Sequence, residues 1–307
     1  MKSEKEITNL LKDTFLSGTF SVSFLAEGFG NFNYLIKDAG EKYVLRLKKS
    51  DESQFLDSLE KEYVFLKYFE SKGIDFCPKV LLYDKEQNFL IESYLDGQKI
   101  SQVNFSDEQI DELACNLKKI FELDVSSFYD FCIQNDYKEF KYVDPLTSLN
   151  TYGFNRYEEA KKGDLSKEVT AWFEETLDGN LSFLSNLQKD DDDLGFSWGD
   201  IQSEVIVDSK GKMNLYDFEH VSISNSFGLT YIKIHSKFNS SQFNYLLDRC
   251  AHHFNRDKKD LILDMNREER VIRTNDAVWA AMMWSKTKDK KFEALMYKRI
   301  ELVNNID

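Results

Sequence analysis

Between Phe196 and His220 the chain reads FSWGDIQSEVIVDSKGKMNLYDFEH, two β-patterned runs in a half of the sequence otherwise patterned for helix. SEVIVDS and KMNLYDF alternate as strands do and are joined by a Ser-Lys-Gly-Lys turn, so they read as a hairpin. Such a hairpin has one acid, Asp200, just before it and another, Asp217, at its far end. Both carboxylates then come to one edge. Any fold for this chain must set that acid-tipped hairpin among helices.

The segment before residue 97 has a different character. Helical spacing of Ile7, Leu10, Leu11 and Phe15 predicts a helix from Glu4 to about Leu16. Three strands are predicted in FSVSFLA, NYLIKD and KYVLRLK, and two more in KVLLYDK and NFLIESYL. Between the two groups, SQFLDSLEKEYVFLKYFESKG carries an apolar stripe of Leu56, Leu59, Tyr63, Leu66 and Phe69, with Gly73 as a stop. DGQKIS reads as the connection leading out. Beyond it the pattern is helical: SDEQIDELACNLKKIFEL has Ser106 as N-cap and Glu108 in its first turn. SKEVTAWFEETLDGNLSFLSNLQK follows, and three helical stretches are predicted after the hairpin. The KDDDD run at 189–193 reads as a solvated loop. The fold class is α+β and bilobal: a small antiparallel β-sheet N-lobe over 1–96 and a larger helical C-lobe over 97–307.

With 54 acidic against 40 basic residues, the net charge of −14 disfavours nonspecific binding to nucleic acid or to an anionic membrane. Neither a signal peptide nor a membrane-spanning run is found, and Cys77, Cys115, Cys132 and Cys250 lack the paired spacing of a zinc or redox motif. The four histidines form no spaced ligand set. A cytoplasmic protein with reduced thiols is expected, and the sequence leaves its oligomeric state open.

Phosphoryl transfer needs an acid to orient or deprotonate the attacking hydroxyl and another to hold Mg2+, with a cation and a backbone cover on the donor's phosphates. Asp200 and Asp217 supply the acids. Arg46, in the strand YVLRLK, supplies a cation, and Glu62 on the long helix a carboxylate able to hold it. EGFGN places Gly28 and Gly30 in a turn whose missing side chains let backbone N–H groups approach an anion. Each feature alone is commonplace. Together they fit a two-lobed cleft.

In this order the segments resemble the aminoglycoside phosphotransferase and choline kinase group, small-molecule kinases of protein-kinase-like fold. FGNFNYLIKDAGEKYVLRLKK is similar to the group's Gly-rich turn and Val-Leu-Arg strand, and EKEYVFLKYFESKGIDFCPKVLLYD to its helix and proline segment. FLIESYLDG looks like the hinge, and WGDIQSEVIVDSKGKMNLYDFEH like the catalytic loop and Ile-Asp-Phe-Glu metal motif. The resemblance covers roughly residues 20–235 and implies ATP and Mg2+ as cofactors. It implies Gly28, Gly30 and Asn31 over the phosphates, Arg46 paired with Glu62 on them, and the backbone of Glu92–Leu95, Tyr94 included, at adenine. Asp200 would be catalytic, and Asp217 would bind the metal.

Three departures stand out. Trp198 replaces the group's His. The loop after Asp200 is one residue shorter, and its register puts Glu204 where a metal-binding Asn is expected, thirteen residues before Asp217. SNSFGLTY has Leu229 where the group has an acid. A carboxylate is a good Mg2+ ligand, so Glu204 is a second metal candidate. The departures keep two alternatives open: a catalytically eroded pseudokinase acting as a nucleotide-sensing or interaction module, and an AMP transferase on the same fold. For the acceptor, a small molecule bearing a positive charge is expected, since TNDAVWAAMMWSK sets Asp276, Trp279 and Met283 near one face. The competing reading of that face is ordinary core packing.

Overall fold

The computed structural model describes residues 2–28, 30–49, 58–138, 140, 149–185, 194–198, 205–224 and 228–306. Asp200, Glu204 and the 189–193 run lie outside the described residues.

After the helix α1 (Glu4–Leu10) come β1 (Ser21–Glu27), β2 (Asn31–Asp38) and β3 (Glu41–Lys48), then α2 (Ser58–Ser71), β4 (Val80–Asp84) and β5 (Phe89–Ser93). The five strands form one antiparallel sheet in the order β1-β2-β3-β5-β4. Period-two alternation separates its faces. Tyr34, Ile36, Leu45, Leu47 and Ile91 join Ile7 and Leu11 in an apolar core. Arg46 and Glu92 stand on the opposite face, since Arg46 pairs with Leu90 and Val44 with Glu92 across β3 and β5. The helix α1 is shorter than its apolar spacing predicts. Thr14 turns back on the Leu11 carbonyl with its N–H at 3.2 Å and its hydroxyl at 2.7 Å, and Phe15 stays half exposed against Tyr43.

The α2 helix packs on the sheet, with Tyr63 stacked on Tyr83 at 5.3 Å, and on the helical half. Phe65 stacks on Phe128 at 4.9 Å between ring centres, and Phe69 meets Phe196 and Phe218 edge-on at 5.9 Å. Phe128 lies on α4 (Val125–Gln134) and Phe196 on β7 (Gly195–Ser197), so an aromatic cluster joins α2 to the helical half. Within that half, α3 (Asp107–Phe121) opens on the expected Ser106 cap, completed by a reciprocal bond from Gln109. Then come α5 (Asn155–Ala160), α6 (Lys167–Ser185), α7 (Leu229–His235), α8 (Ser240–Phe254), α9 (Lys258–Thr287) and α10 (Lys290–Asn304). Among the described residues, four α-helices therefore follow the hairpin rather than three. TNDAVWAAMMWSK lies inside the 30-residue α9.

The hairpin is present as β8 (Val205–Val207) and β9 (Met213–Asn214). One expectation is corrected at its edge: Gln98–Ile100 is a strand, β6, rather than a plain connection, and it pairs antiparallel with β8. Gly97 permits this approach, because a Cβ there would stand 2.4 Å from the Val207 carbonyl oxygen. A further antiparallel pair joins β7 to β10 (Ser222–Ser224). Among the described residues no helix is long and apolar enough to cross a membrane.

Candidate active site

Arg46 is 7 % exposed, far from the ordinary surface cation that its strand position alone would suggest. Its Nη1 donates to Glu62 Oε1 at 2.6 Å, and its Nη2 donates to Asp217 Oδ1 at 2.8 Å and to Glu219 Oε2 at 3.4 Å. One guanidinium fork thus ties the sheet, α2 and the end of the hairpin together. Glu62 is fully buried, and its Oε1 also accepts the Phe218 N–H at 2.9 Å. The long helix therefore holds both the cation and the backbone beside Asp217.

Asp217 has φ 66° and ψ 65°, a left-handed conformation uncommon outside glycine. Neighbours hold it there. Phe218 is wholly buried, and the Trp198 ring N–H donates to the Asp217 carbonyl at 3.4 Å while its ring lies 5.9 Å from that of Phe218. Trp198, the departure from His, is itself buried and steadies the same turn. Leu229 is wholly buried as well, an apolar contact where the group has an acid. From the left-handed residue the chain enters a single 3-10 turn, Phe218–His220, which swings Glu219 back beside Asp217. Carboxylate oxygens of Glu62, Asp217 and Glu219 lie within 4.8 Å of one another.

Burial works against the charge on Arg46, but Glu62, Asp217, Glu92 and Glu219 together hold its pKa well above the ordinary value. Glu92 is the converse case: burial, reinforced by Asp217 and opposed by Arg46, pushes its carboxyl up from 4.5 to about 7. Its Oε2 has no hydrogen-bond partner, which leaves the charged form unsolvated. An acid whose folded pKa exceeds its unfolded one binds more protons in the folded state. Stability then falls as pH rises from 4.5 through about 7, by about 3 kcal/mol in all. Glu92→Gln is expected to flatten that slope, raising Tm over the native chain at pH 8 and not at pH 4. Parallel Tm–pH curves in metal-free buffer would contradict it.

The Arg46 fork carries a second expectation. Arg46→Ala strands the buried Glu62 and should cost about 3–5 kcal/mol of unfolding free energy. Arg46→Lys, a point charge with no fork, should recover part of that stability but not full nucleotide affinity. Denaturant titration checks the first and calorimetry the second; an alanine variant as stable as the native chain would remove the fork from this account.

Over this centre lies the Gly28–Asn31 turn. Gly28 N–H donates to the Asn31 carbonyl at 2.9 Å, and Lys49 N–H to the Gly30 carbonyl at 2.9 Å. A Cβ on Gly30 would meet nothing within 4 Å, so the turn is open there. Asn31 is 3 % exposed and donates its amide to Glu219 Oε2 at 3.2 Å, tying the turn to the acids below. On β5's exit, Tyr94 N–H donates to the Lys42 carbonyl at 3.1 Å, and Lys42 Nζ lies 5.3 Å from the Tyr94 ring centre. Several buried polar atoms here lack partners: Arg46 Nε, Glu62 Oε2, Glu92 Oε2 and Asn31 Oδ1. A dication beside a polyphosphate suits such a surplus of oxygen ligands around a guanidinium.

The structure thus brings together Gly28, Gly30, Asn31, Arg46, Glu62, Glu92 and Asp217. Asp276 and Trp279 belong to another region, and each has a partner there: Asp276 Oδ2 is 3.2 Å from His235 Nε2, and the Arg299 guanidinium lies 5.1 Å from the Trp279 ring centre. Sequence reasoning missed Glu219, although it stands two residues after Asp217; the return of its side chain depends on the left-handed turn. It also missed Lys61, which neighbours Glu219 and Glu62 and whose pKa burial lowers to about 8. Glu92 was expected to act through its backbone alone, yet its side chain faces Arg46.

A five-stranded antiparallel sheet over a helical body, with an arginine–glutamate pair meeting the acids of an inserted hairpin, defines a kinase-like fold. Residues 21–225 match the family described as phosphotransferase enzyme family, and the chain belongs to it. Solved structures resemble it along nearly its whole length. An ethanolamine kinase of Plasmodium vivax superposes with a TM-score of 0.72 at 15 % identity, covering 99 % of this chain and 89 % of that one. The choline kinase LicA of Streptococcus pneumoniae gives 0.69 at 16 %, with 98 % of each chain covered. The gentamicin complex of the phosphotransferase APH(2")-IIa gives 0.67 at 14 %, covering 100 % of this chain and 97 % of that one. No curated protein sequence matches the chain.

Proposed function

We propose that this phosphotransferase is a kinase that moves the γ-phosphate of ATP to a hydroxyl of a small, amino-bearing acceptor. The observation that carries the reading is the Arg46 fork, which joins Glu62 to Asp217 and Glu219 beneath the open Gly28–Asn31 turn. Arg46 would turn part of its fork to the donor's phosphates, while Glu62 keeps it from swinging out and keeps the Phe218 backbone in place. Asp217, with Glu219 and Glu204, would hold Mg2+, which when bound offsets charge on the phosphates. The turn of Gly28, Gly30 and Asn31 would lie over those phosphates, with the Gly28 N–H held by the Asn31 carbonyl and the open Gly30 facing the anion, and the backbone of Glu92–Leu95 would meet adenine. Asp200 would orient the acceptor hydroxyl and receive its proton as the oxygen attacks.

For the acceptor, support comes from the net charge of −14 and from fold neighbours whose names specify ethanolamine, choline and gentamicin. Asp276 and Trp279 are left out of that role, because the chain's own His235 and Arg299 already occupy them. The proposal is tested by calorimetry of ATP with and without Mg2+. Saturable binding that strengthens with the metal is expected; no binding under either condition would sink it.

A further inference from the structure

In a chain with a net charge of −14, the junction of α7, α9 and α10 has the opposite local character. A cavity of about 110 Å³ there is bounded by Arg273, Asp276, Lys298, Arg299 and His235, with leucines and Ile234 completing the wall. Among the described residues, Asp276 is the only carboxylate on that wall. His235 Nε2 approaches it at 3.2 Å, and Arg299 donates to its backbone carbonyl at 2.7 Å. Glu269, also on α9, accepts both Nε and Nη2 of Arg273, at 2.8 and 2.7 Å, and Lys233 at 2.6 Å.

Arg273 is thus paired by Glu269, while Arg299 and Lys298 have no ion pair among the described residues. Burial lowers the pKa of Arg299, and Asp276 alone opposes it. Arg156 on α5 is pulled down by burial in the same way, and Asp276 is again the one carboxylate acting on it, alongside Tyr152 and Tyr231. A guanidinium removed from water without a full counter-charge is costly unless an anion arrives from outside. At ~30 Å³ per water the cavity has room for three or four, the bulk of one oxyanion and far less than a nucleotide. Forked guanidinium donors match the oxygens of phosphate or carboxylate better than a spherical halide.

We propose that this cavity is a subsite for a small oxyanion, with phosphate the best match, separate from the donor cleft and not dependent on the activity proposed above. Lys298 lies exposed at its rim, so its charge can be changed without disturbing the core. Inorganic phosphate is titrated by calorimetry into the native chain, Lys298→Glu and Arg46→Lys, with circular dichroism to verify folding. The native chain should bind saturably, Lys298→Glu at least about tenfold more weakly, and Arg46→Lys as the native chain does. Equal binding by native and Lys298→Glu proteins would overturn the proposal. So would loss in Arg46→Lys, which would place the anion in the donor cleft, or the absence of saturable binding. A second arm compares inorganic phosphate with the phosphomonoester of an amino alcohol. Similar affinities, both weakened by Lys298→Glu, assign the site to free phosphate; tighter binding of the ester, lost in the same variant, assigns it to a phosphorylated small molecule.

Discussion

Asp217→Ala is expected to lower kcat/KM by about three to four decades, roughly 4–5 kcal/mol of transition-state stabilisation. The carboxylate has two tasks in this account. It is the hairpin's contribution to the proposed Mg2+ site, with a Glu219 carboxylate oxygen within 4.8 Å of its own. It also receives Arg46 Nη2 at 2.8 Å. Alanine removes a metal ligand and releases one arm of the fork, so nucleotide affinity should fall too and lose most of its dependence on Mg2+. The left-handed backbone at Asp217 adds a check, since Asp217→Gly relieves that strain while still deleting the carboxylate. Both variants should fail alike in catalysis, with glycine the more stable. Nucleotide affinity unchanged in the alanine variant would count against the whole site.

Asp200→Asn should separate chemistry from binding. The amide keeps the shape of the side chain but cannot take a proton, so kcat should fall by about 10²–10⁴-fold. Nucleotide affinity should stay close to that of the native chain, because the phosphates and the metal are assigned to other groups. The split is what distinguishes Asp200 from Asp217. Turnover near the native rate would remove Asp200 from the catalytic role, and a parallel loss of nucleotide binding would make it a metal ligand instead.

The parts of this fold that could be read from the sequence are those set by local pattern. Alternation in β2 and β3 gives the strands and their inward faces, and the Ser106 capping box marks the start of α3. Spacing could not tell α1 where to stop, because the end is set by Thr14 folding back on Leu11. Nor could it show Gln98–Ile100 as a strand, since among the described residues that segment pairs with β8, more than a hundred residues away. The site divides in the same way. Arg46, Glu62 and Asp217 were found through the order of their segments. Glu219 and Lys61 were not, for their positions follow from a left-handed turn and from helix packing. The charge on Asp276 and the ring of Trp279 suggested a cation site, but long-range contacts from α7 and α10 give both a partner in the chain itself, His235 and Arg299.

The most direct measurement is the mass of the product formed when the protein is given ATP, Mg2+ and a panel of amino alcohols, sugars, aminosugars and aminoglycosides. An amino-bearing member of the panel is expected to gain one phosphoryl group, with ADP appearing in equal amount and Asp217→Ala abolishing both. A product carrying AMP, or no turnover of any acceptor despite Mg2+-dependent ATP binding, would contradict it.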